Sequence, residues 1–236
     1  MTTADGPHRA HAWTAAVRQR LSLGRLLPLG GPADGAWIAE RAAVAVLRRA
    51  VAGPEPGAVL GALRIAVADP DSAPAAQVPP PPSALAPGPL RIEATMTATA
   101  DRPLPAAADA LRAALLSAAA RRLGLVVSEV DLRVTGLLDG SPERVEPEPA
   151  EVRPVDPENA AGRAAASVPG VAALTGVLGP AVRTGEDHVR VELATESGHR
   201  ALDVARAVRA AVTEAAEGRP PVAVLVTAVA EDGTAD

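Results

Sequence analysis

Leu90, Ile92, Ala94, Met96 and Ala98 alternate with Arg91, Glu93, Thr95, Thr97 and Thr99, the period of two of a strand with one wet face. The next stretch changes period. Leu104, Ala108, Leu111, Leu115, Ala119 and Leu123 recur at spacings of three or four, one apolar stripe of a helix, with Asp109, Arg112 and Arg121 off it. Gly124 is placed to end that helix. Val130, Leu132 and Val134 then alternate with Asp131, Arg133 and Thr135, giving a second half-buried strand. The same strand, helix and strand return at His188–Thr195, Ala201–Ala216 and Val222–Val229. Arg91-Ile92-Glu93 answers Arg190-Val191-Glu192, Leu111-Arg112-Ala113-Ala114-Leu115 answers Val208-Arg209-Ala210-Ala211-Val212, and Val134-Thr135 answers Val226-Thr227. In the first strand of the second copy, Val189, Val191 and Leu193 face one way and Arg190 and Glu192 the other.

Each copy is preceded by a helix and a strand. Asp34 is an expected N-cap for a helix over Ala36–Val51 whose inward set is Trp37, Val44, Leu47 and Val51, and Leu63, Ile65 and Val67 mark a strand. In the second copy a short Ala-rich helix over Glu158–Ser167 is closed by Val168-Pro169-Gly170-Val171, where Pro169 stops the helix and Gly170 permits a tight turn. A weaker strand is expected within Leu174–Val182. The predicted fold class is α+β: two tandem α-β-β-α-β units, small sheets each covered by helices on one face. The expected division is a tail and short amphipathic helix over 1–33, a first unit over 34–138 with a proline-rich loop inserted at 70–89, a Pro/Glu-rich linker over 139–157, a second unit over 158–230, and a tail over 231–236. Pro79–Pro82 must be extended polyproline II, read as a stiff spacer.

In Val222–Val229 both alternating sets are apolar: Val222, Val224 and Val226 on one side, Ala223, Leu225 and Val229 on the other. A strand apolar on both sides needs cover on both sides, from the other unit or from a second chain. Ala223, Leu225 and Val229 are therefore candidate interaction residues, and self-association is expected. A second candidate is the segment around Trp13, Val17 and Leu21, a Trp-bearing amphipathic piece with Arg18 beside it.

Chemistry is harder to find. The chain has no Cys, hence no thiolate nucleophile, disulfide or Cys-ligated metal, a usage that fits the cytoplasm. A metal site needs converging ligands, and none is assigned to His8 with His11 or to His188 with His199. The formal net charge is −5, and with neither Phe nor Tyr present there is neither a basic stripe nor a stacking platform for nucleic acid. Gly176-Val177-Leu178-Gly179 is formally a GxxG, but its middle residues are apolar and Pro180 follows, which favours a structural turn. No P-loop, dinucleotide fingerprint or nucleophile elbow occurs. No catalytic, cofactor-binding or metal-binding residue is assigned, and an enzyme is not expected. No run approaches the roughly 18–20 apolar residues of a spanning helix.

The order of elements, with Ala160-Ala161-Gly162-Arg163-Ala164-Ala165-Ala166-Ser167 running into Val168-Pro169-Gly170-Val171 and Ile38-Ala39-Glu40-Arg41-Ala42-Ala43 in the first unit, resembles the alkaline shock protein family of bacterial envelope stress response proteins. The likeness covers most of residues 34–230 outside the proline segments. The first unit departs from it, with Ala52-Gly53-Pro54-Glu55-Pro56-Gly57 in place of V-P-G-V. The resemblance implies a non-enzymatic, cytoplasmic stress protein, peripheral at the inner face of the membrane through a small membrane-anchoring partner, and associating with itself or a related family member. The alternative expectation is a cytoplasmic protein-binding adaptor without a membrane role.

Overall fold

The computed structural model describes residues 23–52, 57–100, 103–138, 152–185 and 187–231. In chain order the elements are β1 (Leu26–Leu29), β2 (Ala36–Ala39), α1 (Glu40–Val51), β3 (Ala58–Val67), β4 (Leu90–Thr99), α2 (Leu104–Ala118), β5 (Val127–Leu138), α3 (Ala160–Ala166), β6 (Val171–Leu174), β7 (Val182–Thr184), β8 (Val189–Glu196), α4 (Ala201–Ala215) and β9 (Val222–Ala230). The fold is α+β, and α-β-β-α-β occurs twice: α1-β3-β4-α2-β5, then α3-β6-β8-α4-β9 with the short β7 added. In each copy the first two strands pair antiparallel and the last two, joined across a helix, pair parallel.

The copies are built into one another. A three-stranded sheet runs β3-β4-β5, while the six-stranded sheet runs β1-β2-β9-β8-β6 with β7 also on β8. β2 stands before the first copy in sequence, yet it lies parallel to β9 of the second, with Trp37 opposite Leu225. Helix α1 packs on β9 and β2 and also on α2 and β3, so it lies between the sheets. Beyond α2 the helix widens through a π-helical turn, Ala119–Leu123, closed by left-handed Gly124 at φ +89°. A side chain at Gly124 would collide with Leu202 of α4, so this glycine is needed for conformation and for contact with the second copy. Arg200 Nε donates to Ala120 O at 2.9 Å in the same place.

The expected helix over Ala36–Val51 begins four residues later. Ala36–Ala39 is a strand buried along its length, because β9 and β1 supply backbone partners on either side. Asp34 accordingly caps a turn instead of a helix: its Oδ2 accepts from Gly31 N at 2.8 Å within the β1–β2 hairpin. Pro28 is tolerated in β1 because that strand is the sheet's edge. Part of the proline-rich loop lies along this edge. Leu85 N donates to Leu26 O at 2.8 Å, Gln77 N donates to Pro32 O at 3.1 Å, and Trp37 Nε1 reaches Leu85 O at 3.4 Å. The loop is therefore packed cover for β1, and not a spacer. The single weak strand expected within Leu174–Val182 resolves into β6 and β7, both on β8.

Burial follows from this interlock. All residues of β9 from Val222 to Val229 are less than a tenth exposed, so both faces of the strand are covered within one chain. The three-stranded sheet is different. Ile92, Ala94, Met96 and Ala98 are buried against helices, while Glu93 and, on β5, Glu129, Asp131 and Arg133 are exposed on the other face.

Candidate functional site

Glu192 on β8 is the most deeply buried charged group among the described residues. Its carboxylate has no solvent exposure and sits beneath the Thr175–Ala181 loop. Oε2 accepts the backbone N–H groups of Val177 and Leu178, each at 2.8 Å, and Oε1 accepts Arg190 Nη2 at 2.9 Å. The expectation that Arg190 and Glu192 form a wet face is thus reversed, since the loop between β6 and β7 folds over them. Burial pushes the Glu192 carboxyl above its ordinary value, against the opposing pull of Leu178 N–H, the Arg190 charge and Val177 N–H. Arg190 Nε is buried without a hydrogen-bond partner among the described residues. Nearby, the hydroxyls of Thr175 and Thr227 bond each other at 2.8 Å, and Thr227 also donates to Leu193 O.

This arrangement decides what the GxxG turn can do. Two successive backbone N–H groups aimed at one point form a cradle for an anion. In this chain the anion is internal, so Val177 and Leu178 have no donor left for a phosphate. The turn pins the loop to the sheet.

Other conspicuous charges are also committed to structure. Glu40 and Arg25 form a bidentate pair, at 3.1 and 2.8 Å, that closes the outer edge of β3: Glu40 Oε1 accepts from Ile65 N at 3.2 Å while Arg25 Nη2 donates to Ile65 O. The pair occupies both backbone groups of Ile65, as a neighbouring strand would. Burial alone would raise the Glu40 carboxyl, but the hydrogen bonds from Arg25 and Ile65 and the Arg25 charge outweigh it, leaving the group below its ordinary value. Arg48 Nη2 occupies the same edge at Gly61 O, at 2.6 Å.

Arg206, Arg209 and Arg219 line a shallow groove on α4 together with Thr213 and Glu214. Arg206 is held by both carboxylate oxygens of Asp34 at 2.8 and 3.1 Å. Arg209 donates to Val222 O at 3.0 Å and to the carbonyls of Ala33 and Asp34. Arg206 and Arg209 tie α4 to the β1–β2 hairpin. A cavity of about 130 Å³ between residues 155–159 and 174–182 is lined by backbone, apolar groups, Asp156, Glu158 and Asn159, without a nucleophile and base in company. Among the described residues no three His, Asp or Glu side chains converge as metal ligands, and no helix is long and apolar enough to cross a membrane.

The remaining conspicuous surface is the outer edge of β5, twelve residues long, with which no described strand pairs. Val134 is 41% and Leu137 60% exposed there, and Leu104, expected on the buried stripe of α2, is 39% exposed. Arg112, held by Asp109 at 2.6 Å, donates Nε to Val130 O at 3.2 Å on this edge.

Of the residues singled out by sequence, Val168, Pro169, Gly170 and Val171 form a tight turn in which Val171 N donates to Val168 O at 3.1 Å. Gly170 has φ +87°, and an added Cβ would lie 2.7 Å from Val204 Cγ2 and from His199 Cγ. Ala223, Leu225 and Val229 are 0%, 0% and 6% exposed. They are core residues, and the cover their pattern demanded comes from this chain, so they do not offer a surface to a partner. Trp13, Val17 and Leu21 lie outside the described residues, as do His8 and His11. Sequence reasoning missed the Arg25–Glu40 clasp, whose partners are far apart in the chain, and the β5 edge, whose charge alternation was visible but whose position at a sheet margin was not. No protein family, characterised protein or solved structure matches this chain.

Proposed function

We propose that this chain is a non-enzymatic scaffold of the bacterial envelope stress response, of the alkaline shock protein type, which acts by associating with itself and is held peripherally at the inner face of the membrane by a small anchoring partner. The observation that carries the reading is how the polar groups are used. The buried carboxylate, Arg206, Arg209 and the β3 clasp serve the fold, whereas apolar side chains and a backbone edge with which no described strand pairs are left outward at β5. A twice-repeated α-β-β-α-β order supports the family assignment. Surfaces of this kind bind protein segments by strand addition.

Fractionation of cells expressing the native protein, with crosslinking and mass spectrometry, tests the reading. Sedimentation with membranes and crosslinks to itself and to a small membrane protein are expected. A wholly soluble distribution with crosslinks to one unrelated complex would replace the scaffold by a cytoplasmic adaptor.

A further inference from the structure

The geometry of β5 points to its occupant: a second copy of this chain, added antiparallel across a twofold axis through Leu132. This proposal rests on the self-associating reading above and names the surface that performs it.

The backbone sets the first condition. Arg112 donates to Val130 O from outside the ladder, so that carbonyl is turned away from β4. With a period of two, Leu132 and Val134 present their N–H and C=O groups at the same edge, with which no described strand pairs, while Glu129, Asp131 and Arg133 turn theirs toward β4. An added antiparallel strand must then place even-numbered residues opposite even-numbered ones in hydrogen-bonded pairs. Odd-numbered residues meet in the non-hydrogen-bonded pairs, where side chains approach most closely.

Charge sets the second condition and selects the register. A twofold at Val130 would set Asp131 against Glu129, one at Asp131 would set that residue against its own copy, one at Arg133 would set arginine against arginine, and one at Val134 would set Arg133 against Thr135 and Leu132 against Gly136 across the β5 irregularity, forgoing both charge pairs. The twofold at Leu132 places Asp131 opposite Arg133 twice, Val130 opposite Val134 twice, and Leu132 against itself. It therefore brings opposite charges together on the wet face and apolar side chains together on the helix-covered face. Asp131 lies 3.9 Å from Arg91 Nε, a long and solvated contact, and its side chain is 68% exposed, so it can turn to the added strand without leaving a buried partner unpaired. Arg112 occupies the Val130 carbonyl in the single chain and is displaced when the strand arrives, consistent with a side chain that is 38% exposed. Isologous pairing of this kind is closed and yields a dimer.

Sedimentation equilibrium on the full chain, comparing wild type with Asp131→Arg and with Asp131→Arg/Arg133→Asp, tests the interface. The single reversal sets arginine against arginine at two sites and is expected to weaken dimerisation about tenfold or more, while the double swap restores opposite charges in the same register and recovers near-wild-type affinity. Circular dichroism and thermal unfolding confirm that each variant keeps the fold. A wild-type dimer unaffected by Asp131→Arg, or a double swap that fails to recover, overturns the interface and leaves self-association by another surface. A wild-type chain that is monomeric at every concentration overturns the self-associating reading itself.

Discussion

Replacing Glu192 by Ala removes the acceptor for three donors at once. The half-buried Val177 and Leu178 N–H groups lose their carboxylate acceptor, and Arg190, only 8% exposed in its side chain, keeps a buried charge without its counterion. Breaking one side of a buried pair typically costs about 3–5 kcal/mol. The penalties overlap, because a loop released from Glu192 can admit water, so the expected loss is about 3–5 kcal/mol. Removing both charges, as in Arg190→Met/Glu192→Met, deprives the same two loop amides of their acceptor but leaves no unpaired buried charge, so the expected loss is smaller than that of the single variant. The double variant should therefore be more stable than the single one. Urea unfolding followed by circular dichroism reads both values, and amide exchange should show faster exchange at Val177 and Leu178 in each. A Glu192→Ala loss below about 1 kcal/mol, or a double variant less stable than the single, would refute the reasoning. The pH dependence has a definite sign. Because the folded-state value of Glu192 lies above its unfolded one, the folded state holds the proton longer. Its contribution is greatest below the unfolded value and declines as pH rises through the folded one. Glu192→Gln should abolish that slope.

The Glu40 carboxyl is shifted the other way, so its contribution is present above the unfolded value and is lost as pH falls through the folded one; Glu40→Gln should flatten the acid limb of a stability–pH curve below roughly pH 4.3. Gly170→Ala meets both a positive φ and two contacts at 2.7 Å, and should lower stability by about 1–3 kcal/mol in thermal unfolding. Arg206→Ala removes a half-exposed partner from Asp34 and should cost no more than about 1 kcal/mol, whereas Asp34→Ala also orphans the Gly31 N–H and should cost more.

Legibility in the sequence divides along local and non-local lines. β4 spans Leu90–Thr99 as its alternation required, and α2, α4 and β9 lie where their periodicities placed them. Those patterns record a face-by-face environment fixed by near neighbours. Ala36–Ala39 reads wrongly as helix because Ala, Trp and Ile in a four-residue run suit a helix or a strand, and the deciding partner, β9, lies almost two hundred residues away. Arg190 and Glu192 alternate as a wet face would, and the loop that dries them arrives from outside the strand. The doubly apolar pattern of β9 demands cover on both sides, but sequence alone does not tell a second chain from α1 and the loops of this one. Conversely, Val130, Leu132 and Val134 resemble an ordinary core face until the sheet order leaves their strand at the margin.

Amide hydrogen exchange at the β5 edge, measured as a function of protein concentration, addresses the functional account most directly. If the chain works by pairing with its own copy there, the Leu132 and Val134 N–H groups gain protection as concentration rises, while β9 amides remain protected throughout. If Leu132 and Val134 exchange at one rate across the dimerisation range, the edge is not where copies meet and the account of β5 fails.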